Sequence, residues 1–367
     1  MTTGLVWDEA YLAPSPTLPA ELVQRIPFGP TLLPFVVAEH RHSLTATFHL
    51  LQRSGMLNHL TLLAPAPVTA DDLRRGHTAS YLAEIAQVRS CTRDRPAASS
   101  SQSLFRFAAH AVGGTLAAVQ AVLQHRVTHA YALVRPAGHH AEADALRSIC
   151  IFNNAVIAVR FAQAHFGLHR IALVDWDVHH GNGAQQAFYA DPRVLTISLH
   201  QGQGLPPESV SEQGRGAGLG TNLNIPLPLG AGHATVLAAC DQLIIPALER
   251  FRPELIVVAS GYDGSGLDPL GRMVCSAETF RTLTTRVQEA AHTLCQGRLV
   301  LTHEGGYSPR YVPWCVLAVL EALTGWRSGW NDPYHEMLLA QGAGRILAHH
   351  AVALSAAARS LALIPTR

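Results

Sequence analysis

The sequence predicts an α/β fold, a central and mostly parallel sheet flanked by helices on both faces. Three observations predict it. Short apolar runs rich in β-branched residues recur along the chain. Longer Ala/Leu-rich segments of helical pattern separate them. Polar residues cluster just after the runs. Runs that are apolar throughout belong to strands buried on both faces. Their alternation with helices is the pattern of parallel crossovers.

In chain order, strands are expected at 59–64 (HLTLLA), 129–134 (HAYALV), 171–177 (IALVDWD), 194–200 (VLTISLH), 255–261 (LIVVASG) and 298–304 (RLVLTHE). Helices are expected near 106–125, 153–166, 233–251, 277–296, 309–324 and 342–363. Residues 96–103 (PAASSSQS) read as a surface loop. No linker or repeat divides the chain, so residues 1–367 are expected to form a single domain. The polar clusters RPAGHH, DWDVHH, SLH, GYDG and EGGY each follow an expected strand. Ligands of open parallel sheets bind outside the carboxyl ends of the strands. Five clusters distant in sequence are therefore expected along one edge.

Composition narrows the chemistry. Lys plus Arg total 27, and all of them are Arg. Without Lys there is no Schiff-base site and no P-loop lysine. The formal charge is +1 and no basic tract occurs, which argues against a nucleic-acid partner. His numbers 21, which favours metal or acid–base work. A chain of this size buries about three-quarters of its unfolded surface and needs no disulfide staples. Its six Cys form no CxxC pair and read as buried thiols of a reducing compartment. The stretch MTTGLVWDEAYLAPSP lacks the apolar core of a signal peptide. No run of about 18 apolar residues suggests a membrane span. A cytoplasmic location follows as the expectation, and a homo-oligomer stays open. The all-Arg composition fits a GC-rich bacterial source.

Asp175, Asp177 and His179 follow one another at period two. In a strand that stays extended, all three share one face. Asp177 and His179 can grip a metal with a carboxylate oxygen and an imidazole nitrogen, and Asp263 offers a third ligand. Such a set leaves coordination positions open, as catalytic metal sites do and closed structural sites do not. The competing reading is a strand-end capping pair. His139–His140 and His179–His180 are adjacent pairs near Gly at expected strand ends, where a ligand can approach the backbone closely. His40, His42, His110, His165, His169, His349 and His350 have no such setting and read as ordinary helix or surface residues.

RPAGHHAEAD (135–144), CIFNNAVIAV (150–159), VDWDVHHGNG (174–183), TISLHQ (196–201), SGYDGSGLDPLGRM (260–273) and EGGYSP (304–309) resemble the zinc-dependent histone deacetylase family. That family includes bacterial histone-deacetylase-like amidohydrolases and acetylpolyamine amidohydrolases. HTASYLAEI (77–85) also fits, and the resemblance runs from about Leu5 to Leu323. HHGNG and EGGY resemble the class II branch. The resemblance implies an arginase/deacetylase-like fold. It implies hydrolysis of a linear amide that frees an acetyl or longer acyl group from an acylated lysine or a small acylated amine. It implies Zn2+ on Asp177, His179 and Asp263. His139 and His140 match the tandem histidines, with His140 as general base. Asp175 matches the residue that orients His139. Asn182 falls where class I members carry an aspartate. Tyr307 matches the oxyanion donor, and His180 is expected just outside the ligand set. A structural K+ is implied near Asp175, Asp177, His179, Ser198 and Leu199, and a second monovalent site near Phe188, Asp191 and Val194.

The chain departs from the family along the expected substrate tunnel, which Gly305 also lines. Ser148-Ile149-Cys150 stands where most members read Gly-Phe-Cys, and Leu205 takes the opposite wall. Two aromatic walls become aliphatic, which predicts a tunnel of altered shape. Leu270 stands where a polyamine-selective member carries Glu, which weakens the case for a cationic substrate. Asp94 is the nearest candidate for a rim aspartate that holds a peptide. Three other readings remain. One is an acetylpolyamine or other small-molecule amidohydrolase. Another is a two-manganese ureohydrolase, which lacks a ligand at Gly181. The third is a non-catalytic zinc protein that binds acyl-lysine.

Overall fold

A computed structural model describes residues 2–15, 18, 20–24, 29–88, 104–202 and 208–366. Among these residues eight strands form one sheet: β1 (Thr3–Val6), β2 (Thr61–Leu63), β3 (His129–Ala132), β4 (Ile171–Asp175), β5 (Val194–Gln201), β6 (Asn222–Leu227), β7 (Leu255–Ser260) and β8 (Leu299–His303). Their order is β2-β1-β3-β8-β7-β4-β5-β6, and every pairing is parallel. Every residue of β3, β4, β7 and β8 is buried. Apolar runs without alternation are what a sheet covered on both faces requires.

The order places the site. The four middle strands β3, β8, β7 and β4 come from distant parts of the chain, yet they lie side by side and point the same way. Their C-terminal loops carry the His139–His140 pair, the Glu304–Tyr307 segment, Asp263, and Asp177 with His179. Sheet order thus gathers at one edge what the sequence spreads over about half the chain.

The helices follow their patterns with physical adjustments. Leu104–Leu123 is Ala-rich and buried on most sides, as a helix wedged against a sheet must be. The expected helix 233–251 is continuous, but Cys240–Ile244 forms a π turn in which Ile245 N donates to Cys240 O. Pro246 lies just beyond, has no N–H and crowds the preceding turn, so a widened turn relieves it. Asn153 caps Asn154–Phe166 by accepting from Val156 N at 3.0 Å. Ala348–Leu361 packs against β6, the last strand of the sheet.

Several elements were not expected, among them the short helices Ala70–Arg74, Ala79–Gln87 and Asn182–Phe188. β1 is four residues long, and β6 holds Pro226 and two Asn, which suit an edge strand. The helix Gly29–Arg53 carries Pro34 inside it, which obscures its pattern. No helix of the described residues is long and apolar enough to cross a membrane.

His129 ties the start of β3 to the end of the helix Val312–Thr324. Its Nε2 lies 2.6 Å from Leu323 O and 2.9 Å from Thr3 Oγ1. Burial pushes its pKa down to about 4. The fold therefore keeps His129 neutral where the unfolded chain, with an ordinary value of about 6.5, takes up a proton. Stability is lost as pH falls from about 6.5 toward 4, by at most about 3 kcal/mol from this residue. Urea unfolding of metal-free protein between pH 7 and 5 should show that loss. His129→Gln should flatten the slope, and an unchanged slope would rule out the neutral buried imidazole as its source.

Candidate active site

β4 ends at Asp175, so the extended face expected to run through Asp177 and His179 does not form. Carboxylates fold the chain there instead. Asp177 N donates to Asp175 Oδ1 at 3.0 Å, and His179 N donates to Asp177 Oδ1 at 2.9 Å. Val178 N donates to Asp263 Oδ1 at 2.9 Å, and Gly305 N donates to Asp177 Oδ2 at 2.8 Å. These buried N–H groups lie past the strand ladder and need other acceptors.

Asp177, His179 and Asp263 each offer one donor atom, all within 4.8 Å of one another. His179 Nδ1 lies 3.1 Å from Asp177 Oδ1 and 3.0 Å from Asp263 Oδ2. Both carboxylates are fully buried, and Asp263 Oδ2 receives no hydrogen bond. Burial and the neighbouring Asp177 push Asp263 up to about 6. Burying two carboxylates this close is costly without a compensating cation. A divalent ion fits this donor set. Glycine makes the room: a Cβ on Gly305 would fall 2.4 Å from Asp263 Oδ2 and 2.6 Å from Asp177 Oδ2, and one on Gly261 would fall 2.2 Å from Asp177 Oδ2. The His179 side chain is 40% exposed, so the site opens on that side.

The tandem histidines stand beside this cluster. Their rings lie 4.0 Å apart, and His140 is 5.8 Å from the His179 ring. His139 Nδ1 meets Asp175 Oδ2 at 2.9 Å. Burial opposes charge on His139, but Asp177 and Asp175 outweigh it and raise the pKa to about 10. Burial, and then the charges of His139 and His179, hold His140 well below the ordinary value. Its Nδ1 meets Asn182 Oδ1 at 2.7 Å. The pair is therefore polarised, one ring cationic and the other neutral.

Tyr307 is buried, and its N–H donates to Asp268 Oδ2 at 2.7 Å. Burial, with Asp263 and Asp177 nearby, raises its phenol well above the usual range. Gly306, at φ 141°, makes the turn that only glycine adopts freely.

Other expected residues fall as follows. Asp175 on β4 is the register partner of Ser198 on β5, with Leu199 next in the strand. Ser198 Oγ accepts from Gly181 N at 3.2 Å and meets His200 Nδ1 at 2.9 Å. His180 Nδ1 is 3.2 Å from the same hydroxyl. Phe188, Asp191 and Val194 lie in one turn, where Asp191 N donates to Phe188 O and Val194 N to Asp191 O. Ser148 sits at φ 53°, a left-handed conformation that explains the glycine of the family pattern. Ile149 is buried and borders a small inner cavity of about 30 Å³ with His40, Arg135 and Ile151. Leu270 is half-buried, its N–H held by Asp268 Oδ1 at 2.9 Å. Leu205 and Asp94 lie outside the described residues.

Several residues that hold the site were not singled out in the sequence. Glu304 is fully buried, and its Oε2 accepts from Gly138 N at 2.6 Å and His139 N at 3.0 Å. Asn153, besides capping its helix, donates to His139 O at 3.3 Å and Ala141 O at 3.0 Å. His40 lies on a helix, as expected, but is buried with its ring 5.7 Å from those of Tyr307 and His303. An acidic residue directly after a strand, as in EGGY, was the available signal for Glu304.

Asp263→Asn should bind far less divalent metal than wild type, measured by elemental analysis after dialysis. Gly305→Ala should lower metal affinity by roughly tenfold or more, because the new Cβ meets both carboxylates. Stoichiometric metal in both variants would remove these three residues as the ligand set.

The family profile described as Histone deacetylase domain matches residues 37–323. The chain is 41% identical over 323 residues to a histone deacetylase-like amidohydrolase of Pseudomonas aeruginosa, covering 85% of this chain and 84% of that protein. It is 33% identical to a probable deacetylase of Archaeoglobus fulgidus, covering 89% and 87%. It is 34% identical to a polyamine deacetylase of Homo sapiens, covering 78% of this chain and 44% of that one. With the parallel sheet and its loop-borne cluster, this likeness places the chain in the histone deacetylase family of deacetylases and amidohydrolases.

Proposed function

We propose that the chain is a zinc-dependent amidohydrolase that removes an acetyl or longer acyl group from an acylated amine, with acyl-lysine side chains as the main substrate class. One observation carries the proposal: an Asp–His–Asp donor set lies beside a tandem histidine pair, one ring held by Asp175 and the other by Asn182. We read residues 1–367 as one catalytic domain.

Asp177, His179 and Asp263 would hold zinc, which would supply Lewis acidity toward the acyl carbonyl and toward water. The remaining work belongs to side chains. His140, neutral and with Nδ1 engaged by Asn182, keeps Nε2 free to accept the proton of the attacking water. His139, cationic beside Asp175, stabilises developing negative charge. Tyr307 stays protonated and donates to the tetrahedral oxyanion. Asp175 and Ser198, adjacent across β4 and β5, suit the K+ site that Leu199 and the following loop would complete.

The polyamine reading draws on relatives that carry that name. Leu270 offers a cationic amine no charge, which favours lysine side chains over polyamines. Ile149, where the family pattern has Phe, gives the tunnel an aliphatic wall, which favours acyl groups larger than acetyl.

Tyr307→Phe should keep its metal and lose about a hundredfold or more in kcat. Full activity in that variant would remove Tyr307 from the oxyanion site. A panel of acetyl-lysine, longer acyl-lysine and acetylspermidine substrates, run on metal-quantified enzyme, tests the specificity. Higher kcat/KM for acylated lysine than for acetylspermidine is expected, and the reverse order would establish the polyamine reading.

A further inference from the structure

Glu142 lies two residues past the histidine pair, and its side chain is only 15% exposed. Its backbone is fixed, because His77 Nδ1 meets Glu142 O at 2.9 Å and Glu142 N donates to Ala145 O at 2.9 Å. Its carboxylate faces two ways. Oε1 accepts from Asn182 Nδ2 at 2.9 Å. Oε2 accepts from Arg147 Nη2 at 3.1 Å and from Gln186 Nε2 at 3.3 Å. Asn182 Nδ2 also donates to His140 O at 3.2 Å. Both amide hydrogens of Asn182 are therefore committed to acceptors, one of them anionic. Only Asn182 Oδ1 is left to face His140 Nδ1, at 2.7 Å.

This arrangement decides a proton position. A side-chain amide can turn over and exchange its oxygen and nitrogen with little change in shape. Turned over, Asn182 would aim its oxygen at the Glu142 carboxylate and at the His140 carbonyl, two acceptors that have no hydrogen to offer. It would also aim NH2 at His140 Nδ1. A neutral imidazole facing a donor at Nδ1 must carry its hydrogen on Nε2, and Nε2 could then accept no proton. Glu142 makes the turned-over state unfavourable.

We propose that Glu142 is a positioning residue which, through Asn182, fixes His140 as the tautomer with hydrogen on Nδ1 and a free lone pair on Nε2. The proposal rests on the reading of His140 as general base. It assigns to the pair Asn182–Glu142 the task that a single carboxylate beside the histidine would perform. The amide adjoins the imidazole, and the charge stands one residue further out, where Arg147 balances it.

The test separates orientation from structure. Glu142→Leu leaves Asn182 free to turn and should lower kcat about tenfold or more, with KM and bound metal unchanged. Glu142→Gln keeps an oxygen acceptor and should stay within about threefold of wild type. In an Asn182→Asp background the sign should invert: Glu142→Gln, which supplies a donor to the new carboxylate, should raise kcat above Asn182→Asp alone. This second comparison decides the matter if Glu142→Leu fails to fold. A readout independent of turnover is the nitrogen NMR of histidine-labelled, metal-free protein, with His140 assigned by His140→Gln. Wild type should show hydrogen on Nδ1, and Glu142→Leu should shift the population toward Nε2. An unchanged tautomer, a wild-type kcat in Glu142→Leu, or no inversion in the Asn182→Asp background would overturn the proposal. If His140→Gln kept full activity, the base assignment would fail instead, while the tautomer measurement would still report on Glu142.

Discussion

Asp177 and Asp263 are buried side by side at the C-terminal edge of the sheet, where both accept backbone N–H groups and both face the same ring nitrogen of His179. The surroundings follow from that constraint. Accepting from His179 N, Gly305 N and Val178 N, the two side chains pin three loops from three strands. Those loops can meet only because β8, β7 and β4 are neighbours in the sheet. Glycine is required at positions 261 and 305, since any Cβ there would strike a carboxylate oxygen. The charge concentrated at this point also sets the neighbouring protons. Against burial it raises the pKa of His139, and it adds to the burial that keeps the phenol of Tyr307 protonated.

Much of this was legible in the sequence, for identifiable reasons. β3, β4, β5, β7 and β8 were readable because burial on both faces demands unbroken apolar runs. The edge strand β6 was not, since Asn222, Asn224 and Pro226 belong to a strand whose ladder is completed on one side only. The helix Gly29–Arg53 was hidden by Pro34 and by mixed polarity. At the site, the Asp–His–Asp set has a spacing that chemistry constrains and could be read directly. The roles proposed for Tyr307, Asn182 and Asp175 rest on resemblance. Glu304, Asp268 and Asn153 went unread because they act on backbone groups. Any acceptor that reaches a stray N–H can do that work, so no fixed spacing marks it. The extended Asp–His face failed for a related reason: carboxylates that accept from their own following N–H groups bend the chain out of the strand.

The histidine excess also has a structural explanation. His77, His129, His200 and His303 are buried and held at low pKa by desolvation. His77 shows the use of such a group. Its Nδ1 meets Glu142 O at 2.9 Å, while its Nε2 accepts from Asn153 N at 2.9 Å. A neutral imidazole is a rigid bridge with one donor and one acceptor, and here it joins the histidine-pair loop to the helix that Asn153 caps. Several imidazoles thus serve as internal connectors, and others cluster at the candidate metal site.

The two ends of the sheet bear on where the folded unit has its borders. The stretch that the family profile matches, residues 37–323, omits β1, which pairs with both β2 and β3, and omits the helix Ala348–Leu361, which packs against β6. Cut to that stretch, the chain would leave β2 without its neighbour and would strip β6 of the helix packed against it. The matched stretch and the folded sheet thus have different borders here: pieces outside the stretch supply a strand and a packing helix to the unit that carries the chemistry.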